Sequence, residues 1–246
     1  MSPGPLSPLL ILAFILAFVL AFGPSCASAA PGLPLRLILV GDSTMASSTG
    51  YGDALCARLS PDTACVNLAR GGRSSGSFRA EGSWDEAQAL LRDAGAFRAT
   101  YVLIQFGHND QPGKPGRSTD LVREFPANMT RYVAQTRALG GVPVLVTPLT
   151  RRSFRGAWVH DDLAPWSAVV RQVARATQTT LVDLNALSMA DAQALGPERA
   201  DALARSGANF DHTHVGPAGA ERYAGMLARE LRRHLPELST AMRSAR

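Results

Sequence analysis

Lysine is almost missing from this chain. Lys114 is the only one among 246 residues, so the formal charge of +5 is carried almost wholly by arginine. The basic residues are scattered (Arg70, Arg73 and Arg79, then Arg151, Arg152 and Arg155, then Arg229, Arg232 and Arg233), and no helix-turn-helix, zinc-finger or RNA-binding signature accompanies them. A nucleic-acid partner is therefore not expected. Histidine and cysteine are also sparse, at five and three residues. Asp211, His212 and His214 imitate a metal site, but His-x-His points alternately along an extended chain and no further ligand cluster presents itself. Neither a metal nor any other cofactor is expected. Charged residues make up 18% and hydrophobic residues 46% of the chain, which is globular rather than disordered composition.

Long hydrophobic runs are lacking too. The longest, Leu9 to Phe22, falls short of the about 20 residues a membrane-spanning helix needs. Gly23, Pro24 and Ser25 follow it, then Ala27-Ser28-Ala29, a small-x-small site for cleavage after Ala29. Residues 1–29 therefore read as a signal peptide and residues 30–246 as a single domain, exported to the periplasm or beyond the cell. The segment before the run has no lysine or arginine, which leaves an uncleaved anchor as the alternative. No stable membrane partner is expected unless that segment is retained, and a monomer is expected. Removal of Cys26 with the signal leaves Cys56 and Cys65, an even number in an oxidising compartment. Cys56 falls near the end of a predicted first helix and Cys65 at the start of the next strand, so a short disulfide is favoured over two buried thiols.

Strand and helix patterns alternate along the rest. Strands are predicted over Leu35–Val40, Ala64–Leu68, Tyr101–Phe106, Val142–Thr147 and Thr180–Asp183, and the first is a nearly unbroken apolar run. Helices are predicted over Tyr51–Leu59, Trp84–Leu91, Asp120–Leu139, Trp166–Ala176 and Gly216–His234. Such alternation gives an α/β fold, a parallel sheet covered by helices on both faces.

Three short segments stand out: Gly41-Asp42-Ser43-Thr44, Gly107-His108-Asn109-Asp110 and Asp211-His212-Thr213-His214. The first two directly follow predicted strands, where an open α/β sheet places its active site. A serine hydroxyl is a weak nucleophile until an imidazole takes its proton. Ser43 is the candidate nucleophile and His214 the base. Asp211, three residues before His214, is placed to bond its other ring nitrogen and stabilise the imidazolium. Acyl transfer also needs donors for the developing oxyanion. The candidates are the backbone N–H of Ser43, that of Gly72 in Gly71-Gly72-Arg73-Ser74, and the side-chain amide of Asn109. Singly, each residue has an ordinary structural reading as a cap, turn or loop residue; jointly they point to a serine esterase.

Gly-Asp-Ser, Gly-Gly-Arg-Ser, Gly-His-Asn-Asp and Asp-x-Thr-His together resemble the SGNH hydrolases, and among them the rhamnogalacturonan acetylesterase-like carbohydrate esterases. The resemblance extends over roughly Leu35 to Leu235, through Thr147–Phe154, Val182–Leu184 and the stretch from Gly216 through Tyr223. It implies a flavodoxin-like three-layer α/β/α sandwich with a five-stranded parallel sheet in the order 2-1-3-4-5. It also implies metal-free deacetylation of a cell-wall polysaccharide of the pectin or rhamnogalacturonan type, with Ser43, Asp211 and His214 as triad and Gly72 and Asn109 as oxyanion donors. Val215-Gly216-Pro217 departs from the pattern, in which a hydroxyl residue often follows the histidine.

Other readings remain on the same residues. Gly72-Arg73-Ser74-Ser75-Gly76 formally fits a nucleophile elbow centred on Ser74, but a Gly/Ser-rich loop follows it where an elbow needs a helix. Arg73, Arg151 and Arg152 are candidates for a uronate carboxylate, which arginine pairs bidentately, with a solvated face as the alternative. His108 and Trp158 are further candidates for the edge of a sugar site. A lipid or aryl esterase on the same scaffold is the enzymatic alternative, although the loops carry glycine, serine and arginine rather than an apolar acyl pocket. A polysaccharide O-acetyltransferase would use the same residues but pass the acetyl group to a sugar instead of water.

Overall fold

The computed structural model describes Met1, residues 33–207 and residues 209–243. The expected signal peptide, apart from Met1, lies outside the described residues, as does Cys26. Among the described residues no helix is long and apolar enough to cross a membrane.

The first strand, β1 (Leu35–Gly41), is buried along its whole length. A strand buried on both faces needs apolar residues at successive positions, which is what Leu-Arg-Leu-Ile-Leu-Val supplies. Leu35, Leu37 and Leu39 enter the core on one face of the sheet and Ile38 and Val40 the core on the other. Arg36 is the exception in this run. Its Nε donates to Thr100 Oγ1 at 3.2 Å, its Nη2 to the Leu90 carbonyl at 2.5 Å, and its guanidinium stacks on the Phe97 ring.

Beside β1 lie β2 (Thr63–Asn67) and β3 (Ala99–Gln105), followed by β4 (Val142–Val146) and β7 (Thr180–Val182). All pairings are parallel, in the order β2-β1-β3-β4-β7. This is the 2-1-3-4-5 arrangement, with β7 in fifth place because a small antiparallel hairpin, β5 (Phe154–Arg155) and β6 (Trp158–Val159), intervenes. Two-residue strands are too short to show an alternating pattern, so the hairpin was not legible in the sequence.

Helices α3 (Ser83–Arg92), α4 (Glu124–Ala138) and α5 (Ala164–Ala176) bury Trp84, Leu91, Phe125, Tyr132 and Val170 against one face. Helices α1 (Gly52–Ala57), α6 (Leu184–Leu195), α8 (Pro217–His234) and α9 (Pro236–Thr240) bury Leu55, Leu184, Tyr223, Leu227 and Leu238 against the other. The predicted helix over 120–139 begins four residues late. The Asp120 carboxylate accepts from the N–H groups of Val122 and Arg123 at 3.1 and 2.6 Å, and this turn delivers the chain into α4. Four further helices lie outside the predicted ones: α2 (Ser77–Ala80) in the Gly/Ser-rich loop, α6, α7 (Pro197–Asp201) and α9.

The chain reverses direction across the sheet at β1, which pairs with β2 on one side and β3 on the other. Such a switch point opens a crevice beyond the carboxyl ends of the strands. The loops after β1, β2 and β3 all meet there.

Candidate active site

Ser43 sits two residues beyond β1 in a single tight turn. The Asp42 carbonyl accepts from the N–H groups of Met45 and Ala46 at 3.2 and 3.0 Å, while its carboxylate accepts from Thr44 N–H at 2.9 Å and Thr44 Oγ1 at 2.8 Å. The turn is held from outside as well. A Cβ on Gly50 would fall 2.2 Å from the Thr44 carbonyl, so only glycine lets this segment lie against the turn that carries Ser43. Ser48, two residues earlier, adopts a left-handed φ of 63°, a strained conformation for a residue with a side chain. Ser43 itself is 8% exposed, and its Oγ makes no hydrogen bond among the described residues.

Asp211 and His214 form a pair on the loop before α8, with His214 Nδ1 at 2.8 Å from Asp211 Oδ2. A carboxylate only accepts, so Nδ1 carries the proton and Nε2 keeps a free lone pair, the tautomer a general base requires. The other Asp211 oxygen accepts from the N–H groups of Thr213 and His214, both at 2.9 Å. Burial raises the Asp211 pKa, but the His214 N–H, its imidazole and the Thr213 N–H outweigh it and hold the carboxyl at about 2. It is therefore ionised throughout the neutral range.

Thr49 joins the two halves. Its Oγ1 donates to the Ser43 carbonyl at 2.7 Å, and its own carbonyl accepts from Val215 N–H at 3.0 Å. One residue thus ties the turn that carries Ser43 to the residue next to His214. Arg152 holds the same loop from beneath. It is fully buried, and its Nη2 donates to the carbonyls of Asp211 at 2.6 Å and His214 at 2.7 Å. Its backbone N–H donates to the His212 carbonyl, and His212 Nδ1–H donates to the Arg152 carbonyl, each at 2.9 Å.

The oxyanion candidates converge through the loops after β2 and β3. Gly72 has φ +77°, which favours glycine, and a Cβ on the adjacent Gly71 would lie 3.9 Å from Ser43 Cβ. Among the described residues, the backbone N–H groups of Ser43 and Gly72 donate to nothing. Asn109 donates from Nδ2 to the Arg73 carbonyl at 3.0 Å, which orients the amide and leaves its second N–H unused. Asp110 stitches the same loops, accepting from Ser75 N–H at 3.1 Å, Ser75 Oγ at 2.6 Å and Thr119 Oγ1 at 2.9 Å. Burial pushes its pKa up to about 6, against the lowering effect of those donors.

Beneath the crevice lies a buried polar chain that no sequence pattern announces. His108 Nδ1 faces Asp42 Oδ2 at 3.3 Å, Gln105 Nε2 donates to Thr44 Oγ1 at 2.6 Å, and Tyr51 donates to Gln105 Oε1 at 2.5 Å. Burial raises the Asp42 pKa, but His108 and the Thr44 bonds bring it below the ordinary carboxylate value. Nothing in the sequence singled out Thr49 either, because its role is set by two contacts far apart in the chain.

Several expected sugar contacts are corrected. His108 is 2% exposed and turned toward Asp42, so it is not on the rim of the site. Arg152 is wholly buried and cannot meet a carboxylate in solution. Arg151 is committed to an ion pair with Asp162 and to Gln111 Oε1 and Thr213 Oγ1 at 2.9 and 3.1 Å. Arg73 pairs with Glu81 at 2.7 Å. Trp158 is 72% exposed on the hairpin and remains available. Ser74 is buried, exchanging hydrogen bonds with Ser77 in the turn that leads into α2, so it is not displayed at the tip of an elbow. Cys56 and Cys65 are joined in a disulfide with Cα atoms 5.5 Å apart.

The profile of the GDSL-like lipase/acylhydrolase family matches residues 39–222. The chain is similar to the rhamnogalacturonan acetylesterase RhgT of Bacillus subtilis (strain 168), at 30% identity over 213 residues, covering 79% of this chain and 88% of that one. It is also similar to the probable rhamnogalacturonan acetylesterase YesY of the same organism, at 29% identity over 206 residues, covering 80% and 92%. Among solved structures, that of the Bacillus subtilis protein YxiM superposes with a TM-score of 0.68 and 27% identity, covering 81% of this chain and 56% of that chain.

Proposed function

The chain belongs to the GDSL-like lipase/acylhydrolase family, and from that premise we propose that it is an exported serine esterase that removes acetyl groups from a cell-wall polysaccharide through an acyl-enzyme. In this reading Ser43 Oγ attacks the acetyl carbonyl carbon while His214 Nε2 takes its proton. The Asp211 carboxylate holds Nδ1–H and stabilises the imidazolium. The carbonyl oxygen, now negative, rests on the free N–H groups of Ser43 and Gly72 and the second N–H of Asn109. Donors fixed in place before the reaction act where charge develops, and losing one costs about 10²–10³ in rate. His214 then returns the proton to the leaving sugar hydroxyl. Water, deprotonated by the same nitrogen, attacks the acetyl-serine and releases acetate.

The observation that carries this reading is the Thr49 tether, which ties the turn bearing Ser43 to the loop bearing His214. The acetyl and polysaccharide assignment is supported by the two Bacillus relatives, both named rhamnogalacturonan acetylesterases. Export is supported by the Cys56–Cys65 disulfide, a bond that persists in oxidising compartments, and by the apolar run and small-x-small site of residues 9–29. Acetate release from acetylated pectin and from acetylated neutral polymers tests it. Wild type releases acetate, Ser74→Ala keeps most of that activity, and Ser43→Ala loses several orders of magnitude, as triad deletions do. Full activity in Ser43→Ala, or acetylated product instead of free acetate, would overturn it.

A further inference from the structure

The three arginines that the sequence offered for a substrate carboxylate are buried or already paired, whereas others flank the site unpaired. A cavity of about 620 Å³ lies beside the catalytic loops, bounded by Gly76 and Ser77 on one side, Gly116 to Thr119 on another, and Asn128 and Arg131 of α4 along its length. That size is within the range of ligand pockets, about 300–1,000 Å³. Its charged lining consists of Arg117, Arg123, Arg131 and a single carboxylate, Glu124. Glu124 is occupied, accepting from Asp120 N–H at 2.7 Å, and Arg123 is the partner of Asp120 at 3.7 Å. Among the described residues neither Arg117 nor Arg131 has an ion pair or a side-chain hydrogen bond.

The cavity reaches the Gly71-Gly72 loop through Arg117. A Cβ on Gly72 would lie 3.5 Å from Arg117 Nη1, and one on the neighbouring Gly71 would lie 3.9 Å from Ser43 Cβ. Arg117, on the wall of the cavity, thus lies against the loop that carries the oxyanion candidate Gly72. Further positive charge gathers at this end. Lys114 donates to the His108 carbonyl, and burial, Arg151 and Arg117 together lower its pKa.

We propose that this cavity is a polymer subsite that binds the carboxylate of an acidic sugar, with Arg117 next to the acetylated residue and Arg131 further along the chain. The proposal rests on the polysaccharide reading above and adds to it a charge preference and the residues that impose it. Unpaired guanidinium groups with hydroxyl and amide neighbours (Ser118, Thr119, Asn128) suit a sugar acid, because a guanidinium takes a carboxylate bidentately while the neighbours meet ring hydroxyls. A neutral glycan offers those guanidinium groups hydroxyls alone, without the charge-assisted bidentate pair.

Calorimetric binding of unacetylated oligogalacturonate to the full exported chain tests this independently of turnover, with neutral xylo-oligosaccharide as control. Wild type should bind the acidic oligomer at least about tenfold more tightly than the neutral one, a preference that shrinks with salt as charge screening requires. Arg117→Gln with Arg131→Gln should lose about tenfold or more in affinity for the acidic oligomer alone, with an unchanged melting temperature showing that the fold is kept. Equal binding of acidic oligomer by wild type and the double variant would overturn the subsite, as would no binding by wild type. Failure of the esterase reading is distinguishable, because then acetate release is absent while oligogalacturonate binding and its dependence on Arg117 and Arg131 persist.

Discussion

Replacing Arg152 with methionine should damage catalysis far more than stability. The guanidinium is fully buried and supplies donors to the carbonyls of Asp211 and His214. Hydrogen bonds to a charged group are worth about 1.5–3 kcal/mol each, so the gross loss is about 3–6 kcal/mol. Against that stands the cost of burying the charge. Arg152 Nε and Nη1 have no partner among the described residues, and a buried, incompletely paired ion carries a desolvation penalty of several kcal/mol that methionine removes. The net destabilisation should thus be only about 1–3 kcal/mol, or roughly 2–10 °C in melting temperature for a domain of this size. The effect on rate has no such offset. The carbonyls that Arg152 holds belong to Asp211 and His214, the proposed carboxylate and base, and a displacement of about 1 Å at a catalytic group can cost about 10²-fold. Lysine should not restore function, because one compact ammonium does not reproduce a planar fork that holds two carbonyls. Aryl acetate hydrolysis at 25 °C, with urea denaturation of the same samples, separates the two effects. A variant with wild-type kcat, or with activity lost only in proportion to the unfolded fraction, would refute the reasoning.

Thr49→Val keeps the shape and removes the hydroxyl that binds the Ser43 carbonyl, so kcat should fall about tenfold with KM unchanged, the bond itself being worth about 0.5–1.5 kcal/mol. An unaltered kcat would show that the tether does not position the serine. Asp110 has a folded pKa of about 6, above the unfolded value, so its stabilising contribution is full below about pH 4 and lost as pH rises through 6. Asp110→Asn, which stays neutral, should therefore gain about 2–3 kcal/mol on wild type between pH 4 and pH 7.5 in urea denaturation, and a pH-independent difference would contradict this. Cys56 and Cys65 close a loop with a sequence separation of nine, for which chain entropy gives about 2.5–3 kcal/mol. The double alanine variant should accordingly melt about 5–10 °C lower, while an unchanged melting point would remove the bond from the stability argument.

What could be seen in the sequence followed from periodicity and from motif position. The apolar runs that became β1, β3 and β4 are buried on both faces, so the pattern left little choice about them, and the three motifs lie at the loops where a parallel sheet exposes its strand ends. Helix α6 could have been found. Asp183 accepts from Ala186 N–H at 3.3 Å, and an aspartate three residues ahead of a run such as Ala-Leu-Ser-Met-Ala is a start signal. The arginines could not have been sorted. Arg151 and Arg152 are neighbours with identical chemistry, yet one spans Asp162, Gln111 and Thr213 near the surface and the other is sealed under the base loop. That difference depends on which way successive side chains point in an irregular segment, where no period applies. The place of Arg117 beside Gly72 is hidden from the sequence for the same reason, since it is a contact between two loops.

Covalent labelling with a fluorophosphonate, followed by tryptic mapping, tests the central claim most directly. Arg36 and Arg58 bound a tryptic peptide of residues 37–58 that contains Ser43, while Ser74 falls in residues 74–79. A single adduct on Ser43, lost in His214→Asn and kept in Ser74→Ala, is the expected result. An adduct on the 74–79 peptide, or labelling of Ser43 that does not depend on His214, would contradict the assignment of nucleophile and base.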